Sequence, residues 1–411
     1  MRAVRGSRGR VVHKATSSAG PPLWVSPFRP FFMAGALYGI VLMTAWVGVH
    51  LGLWSVPSAG MELRLWHAHE MLFGFAAAIV VGIMLTALPS WIGAAEIRGG
   101  LLMALALAWA AGRLGIWGAA LLPPGWGAAF DLLFLPVVLA VVTPMLLRAS
   151  NRLYLLLLPI LGVLAGANLA WHAGSLAADP ALAGQGLRAG VYALIVLYVL
   201  AGGMLTSVFT GNTLCENGRG DLAPFVFALD AAAVAALVLL AALDLGGAPA
   251  GWKGAAALVC ALLHGWRVVR WKGWRVSDAP LVFTMHLGFL WLLCAFLLKA
   301  AAELTGLVPE SAWIHAFTVG SLGMMMLGLM TRVVLRHTGR PLVVPRAMLT
   351  AYALMFAAAL LRLTATVHGL GNWAIALATV AWVLPIAIYL ALFARALLTP
   401  SLPRARPAGV P

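Results

Sequence analysis

Trp66-His67-Ala68-His69-Glu70-Met71 sets two imidazoles, a carboxylate and a thioether at the mouth of an apolar run that continues to about Leu88. Such side chains ligate metals, hold haem iron or pass protons. An ionisable group in a membrane helix costs about 2.5–3.5 kcal/mol at the helix centre on insertion scales, so three in one segment mark a functional site. His67 and His69 are two residues apart and point roughly 200° apart on a helix of 3.6 residues per turn. They cannot both ligate one metal while the helix stays regular. Either they serve different sites, or one ligates and the other hydrogen-bonds. His67 shares its face with Glu70 and Met71.

A second histidine segment, Trp313-Ile314-His315, opens another apolar run. Gly74 follows His69 by five residues, and Gly320 follows His315 by five. A bis-histidine haem needs imidazoles from two facing helices and a flat apolar slot between them. Gly74, Gly320 and Gly323 can supply that slot, and close packing of membrane helices explains the same glycines equally well. His264 and His286 flank a basic stretch, Arg267 to Arg275. That stretch reads as an interfacial anchor, or as a second metal site with arginines that pair haem propionates. Arg332 to Leu342, with His337 and Arg340, is a denser basic cluster. Asp131 and Asp230 lie near the ends of apolar runs and read as hydrogen-bonded structural residues.

The elements that must position these groups follow from composition. Of 411 residues, 63% are hydrophobic and 9% charged, against about 25% charged in soluble proteins. Apolar runs of about 20 residues, the length that crosses a bilayer, recur along the chain. Alternating segments of about 10 residues, the mark of a membrane β-barrel, are missing. The expected fold is an all-α membrane protein in a lipid bilayer. It has twelve spans, at about 31–53, 66–91, 101–120, 127–147, 152–176, 186–210, 222–243, 250–270, 280–300, 311–335, 345–367 and 372–397. They form one transmembrane domain over 26–398 between two tails, 1–25 and 399–411, that read as cytoplasmic and disordered.

The formal net charge is +15. Its carriers sit between the apolar runs, which points to orientation in the bilayer and away from nucleic acid. Most Lys and Arg fall on the side of the N-terminus, so both termini are expected in the cytoplasm. His67, His69 and His315 then lie near the outer face, and His264, His286 and His337 near the inner face. The three cysteines stand far apart. Their spacing excludes a Cys-rich zinc site, a disulfide framework and c-type haem attachment. Residues 1–29 have no apolar segment with a small-residue cleavage site, so no signal peptide is expected. Gly82 to Thr86, Gly202 to Thr206 and Gly328 to Thr331 form a weak repeat, with threonines 120 and 125 residues apart. It suggests three pseudo-repeated units of four helices.

Trp66 to Phe75 resembles the signature of the NnrS family. Pro27-Phe28-Arg29-Pro30-Phe31-Phe32, Pro280-Leu281 with His286-Leu287-Gly288, His315 to Gly323, Thr331-Arg332 and His337 to Leu342 are similar as well. The resemblance covers about residues 26–395. It implies a haem- and copper-containing membrane protein of bacteria that respire nitrogen oxides, tied to nitric oxide metabolism and nitrosative stress. One departure falls on the sixth span, where the family's Gly-Gly-Arg-x-x-Pro-x-Phe-Thr has Met204 for the arginine and Ser207 for the proline. A more distant likeness, to the catalytic subunit of haem-copper oxidases, also implies twelve helices in threefold order. The sixth and seventh spans hold no histidine, so the three-histidine copper site of an oxidase cannot be built.

The resemblance implies haem near the outer face between the second and tenth spans. His315 is one axial ligand and His67 or His69 the other. The remaining histidine, with Glu70 and Met71, holds copper or positions the ligand. His286 is a further metal candidate, and Arg332, His337 and Arg340 are supporting residues. A redox reaction on nitric oxide or an iron–nitrosyl species, fed by a membrane or periplasmic electron donor, is the implied activity. Rival readings are a transporter or channel with a His/Glu proton relay on the second, sixth and tenth spans, and a membrane assembly partner of a respiratory enzyme.

Overall fold

A computed structural model describes residues 21–55, 62–220 and 225–403. The parts of the tails at 1–20 and 404–411 lie outside the described residues. The described chain is helical with no strand. In hydrocarbon every backbone polar group must be satisfied within its own segment, and helices do this.

Eleven helices among the described residues are long and apolar enough to cross a membrane. They are α1 (Phe28–His50), α2 (Leu63–Ile92), α3 (Gly100–Trp117), α4 (Trp126–Leu147), α5 (Arg152–Leu176), α6 (Pro180–Glu216), α7 (Phe227–Leu245), α9 (Pro280–Thr305), α10 (Glu310–His337), α11 (Arg346–His368) and α12 (Asn372–Leu398). Between α7 and α9 runs α8 (Ala250–Trp271). It is long enough to span but less apolar, because Lys253, His264, Arg267 and Arg270 interrupt it. Eleven apolar spans are therefore shown where the sequence reading expected twelve.

Consecutive helices pair along the chain, and α1 packs on α12 to close the bundle. The buried Arg29 guanidinium of α1 donates to the carbonyls of Ala396, Leu397 and Thr399 at 3.2, 2.8 and 2.7 Å. It thereby caps the free carbonyls at the end of α12. Ser401 Oγ donates to the His337 carbonyl at 3.0 Å, and the Leu402 N–H to Thr338 at 2.9 Å. The start of the C-terminal tail is thus fastened to α10, contrary to the expectation of a disordered segment. Between helices, Arg219 grips Asp278 at 2.6 and 2.5 Å and holds that carboxyl below its ordinary range.

Four helices carry most of the interior. The most apolar window is 78% buried in α2, 78% in α10 and 61% in both α6 and α9, against 22% in α7. Three of the four contain a π-helical turn: Glu70–Ala76 in α2, Tyr198–Gly202 in α6 and Ala316–Leu322 in α10. A π turn inserts an extra residue and often sits at a functional site. In α2 it begins directly after His69, and in α10 directly after His315.

A buried charge cluster ties the far ends of α6 to α10 together. Lys299 Nζ meets Asp244 at 2.7 Å and Glu303 at 2.7 Å, and Tyr192 donates to Asp244 at 2.8 Å. Lys299 is 1% exposed. Removing one partner of a buried pair strands the other. Lys299→Met is expected to lower stability by about 3–5 kcal/mol, read from thermal unfolding in detergent. Adding Asp244→Asn should recover part of that loss.

Candidate metal and cofactor sites

His67 and His69 leave α2 in different directions. The backbone from Leu63 to His69 is regular α-helix, so the two-residue spacing separates them as helical geometry requires. His67 opens into a cavity of about 240 Å³. His69 turns away into a polar cluster and is 0% exposed.

The cavity lies between α1, α2, α10, α11 and α12, with Val191 of α6 in its wall. His67 and His315 both line it, within electrostatic reach of each other. Most of the remaining wall is apolar, with five methionines: Met43, Met71, Met326, Met330 and Met355. Arg64 and Arg362 are its charged residues. Trp46 covers His67 at a ring distance of 4.5 Å and stacks on His50 at 5.2 Å. The His315 Nδ1–H donates to the Ser311 carbonyl at 2.7 Å. That bond fixes the tautomer and leaves Nε2 as the lone-pair nitrogen. His67 Nδ1 is buried with no hydrogen-bond partner.

The second cluster joins α1 to α5. Arg113 of α3 bridges Glu70 and Asp131, and Tyr38 donates to Glu70. His69 Nδ1 lies 2.8 Å from Glu70 Oε1. Its Nε2 lies 3.1 Å from Asp131 Oδ2 and 2.9 Å from Asn168 Oδ1. His172 Nε2 reaches the same Asp131 oxygen at 2.8 Å. Trp171 stacks on the His69 ring at 3.7 Å. Ligand atoms of His69, Asp131 and His172 all fall within 4.8 Å of one another, as a metal site requires.

Several expected residues sit elsewhere. Gly74 and Gly320 do not line the cavity and form no haem slot. A Cβ on Gly74 would lie 2.7 Å from the Tyr38 ring and 3.0 Å from Arg113 Nη1. One on Gly320 would lie 2.5 Å from the Trp291 indole. Both glycines admit side chains from neighbouring helices. Gly323 does line the cavity. Met71 belongs to the cavity and Glu70 to the polar cluster, so the two do not act together.

His286 bonds Thr210 at 2.9 Å and abuts Gly273, apart from both sites. Arg332 lies over the Phe209 ring at 3.7 Å, and His337 packs on Phe28 at 5.7 Å. Neither they nor Arg340 line the cavity. His264 bonds Arg267 at 3.1 Å, and Arg267 pairs with Asp230 at 2.6 Å. At Met204, where α6 lacks an arginine, Arg267 of α8 stands close by. Its Nη2 is 2.9 Å from the place of a Cβ on Gly203.

Asp131, His172, Asn168, Arg113, Arg362 and Trp46 had no assigned site role in the sequence reading. Asp131 and Asn168 are isolated polar residues in apolar runs, and that was their only signal.

Apolar helical spans enclosing a histidine-lined cavity and a buried His/Asp cluster define a multi-pass membrane protein with two separate histidine clusters in its interior. The family model described as NnrS protein matches residues 22–401, and the chain belongs to the NnrS family. No curated protein matches it.

The glycine contacts are testable. Gly320→Ala must displace the buried Trp291 and should lose about 1–3 kcal/mol. Gly166→Ala faces open space and should be neutral or gain up to about 1 kcal/mol from helix propensity. Unfolding midpoints of the two variants in one detergent decide this.

Proposed function

We propose that this chain is a haem-binding membrane protein acting in nitric oxide metabolism or the response to nitrosative stress. The observation that carries the reading is the His315 imidazole. A metal-ligating histidine commonly donates its other N–H to a backbone carbonyl or carboxylate, and His315 does so to Ser311 while facing an apolar cavity. His67, on the facing helix, supplies the second imidazole. Its unpartnered buried nitrogen supports the same reading.

The residues present fit a haem. His67 and His315 would hold its iron. The methionines and Trp46 would pack its faces, and Arg64 and Arg362 would pair its carboxylates. When bound, a haem supplies one-electron redox chemistry there. The chain's own part is to orient the imidazoles, exclude water and neutralise the carboxylates. The likeness to the NnrS family ties this chemistry to nitric oxide. Copper, the second metal of the resemblance, needs donors that the haem pair does not use.

The Lys and Arg distribution supports both termini in the cytoplasm, and the likeness to the NnrS family supports a bacterial inner membrane. The bonds of Arg29 to the end of α12 support one face for both chain ends. The π turns on α2, α6 and α10, four helices apart each time, support three pseudo-repeated units.

The test is the Soret absorbance of protein purified from haem-replete cells. His67→Ala and His315→Ala should each lose most of the haem, and His69→Ala should keep it. Cells carrying wild type should outgrow cells carrying His315→Ala under a nitric oxide donor. A colourless wild type would overturn the haem reading. Equal growth of the two strains would overturn the role in nitric oxide defence.

A further inference from the structure

Proton counting in the His69 cluster leaves a gap. Glu70 accepts from Tyr38 and from Arg113, so it is a carboxylate. Its bond to His69 at 2.8 Å then places the imidazole proton on Nδ1. In a neutral imidazole Nε2 is then a lone pair, yet two oxygens face it: Asp131 Oδ2 at 3.1 Å and Asn168 Oδ1 at 2.9 Å. Asn168 cannot relieve this by turning over. Its amide N–H already donates to Asp131 Oδ2 at 2.9 Å, and the flipped amide would set its oxygen against that carboxylate instead. Glu70 and Asp131 carry two negative charges and Arg113 one positive charge. With neutral imidazoles the cluster is short of one positive charge, at a place buried from solvent.

We propose that His69, Asp131 and His172 bind a first-row transition-metal ion of the copper–zinc class, with Asn168 Oδ1 as a fourth donor. The site is separate from the His67–His315 cavity. It rests on donor geometry and charge, independently of the haem reading. Ligand bonds from imidazole or carboxylate to such ions run about 2.0–2.2 Å, which puts neighbouring donors about 2.8–3.1 Å apart at right angles and about 3.3–3.6 Å apart in a tetrahedron. The observed donor separations of 2.8, 3.1 and 2.9 Å match the right-angled spacing. The donors come from α2, α4 and α5, and each of the four residues is at most 4% exposed. Glu70 on His69 Nδ1 is the outer partner that metal-bound histidines use. Two imidazoles and a carboxylate favour copper or zinc over magnesium or calcium. Met71 is not a ligand, because it lines the other cavity.

The rival occupant of the gap is a proton that makes His69 an imidazolium. Full-length protein in detergent is stripped with chelator and reloaded in separate arms with copper under reducing conditions and with zinc. Bound metal per chain is then measured after gel filtration. Wild type should hold one ion of one of the two metals. His172→Ala and Asp131→Asn should lose it at least tenfold, while His67→Ala keeps it. X-ray absorption at the metal edge of wild type should show nitrogen and oxygen neighbours, including imidazole, and no sulfur. This second measurement stands even if a variant fails to fold. Wild type that retains neither metal, variants that retain it fully, or a sulfur neighbour would each overturn the proposal. None of these results depends on whether haem is bound in the cavity, so the two readings fail separately.

Discussion

A charge buried in a hydrocarbon environment must be neutralised within reach of its own side chain, and Arg113 is where this protein meets that demand. Its guanidinium stands between Glu70 and Asp131. Leaving either carboxylate unpaired there would cost several kcal/mol. The bridge fixes α2, α3 and α4 relative to one another, and Asn168 and His172 extend it to α5. Once Glu70 is held on that side, His69 must join it and His67 must face the opposite way. The division of the histidine motif into two surroundings follows from this one ion bridge.

The π turns complete the division. In α2 and α10 the extra residue comes directly after His69 and His315. It advances the rest of each helix by about 100° relative to the histidine turn. The outer turns can thus aim imidazoles at a cavity or a cluster while the lower turns pack on small residues and methionines. Buried ion pairs seldom add net stability. A sealed network with this many charged and polar members is more economically explained as the support of a site than as packing.

Much of this arrangement is legible in the sequence. Composition fixes the membrane class, and the two-residue spacing of His67 and His69 already separates them. The segment around His315 is recognisable at the same depth. The partners are not legible. Asp131 and Asn168 lie 62 and 99 residues from His69, each alone in an apolar run, and no local pattern links them. Gly74 and Gly320 invite a haem-slot reading because their spacing from a histidine matches. The reason for each is a neighbouring side chain, the Tyr38 ring and Arg113 in one case and the Trp291 indole in the other. The pairing of the basic residues of α8 is not legible either, since Arg267 meets Asp230 only once the helices are packed.

The central proposal is that His67 and His315, which line one apolar cavity, together hold a haem. Low-temperature electron paramagnetic resonance of the oxidised, purified wild-type protein tests it most directly. The account predicts a low-spin ferric haem signal characteristic of two imidazole ligands. A haem signal that is purely high-spin, or a preparation with no haem signal, would contradict it.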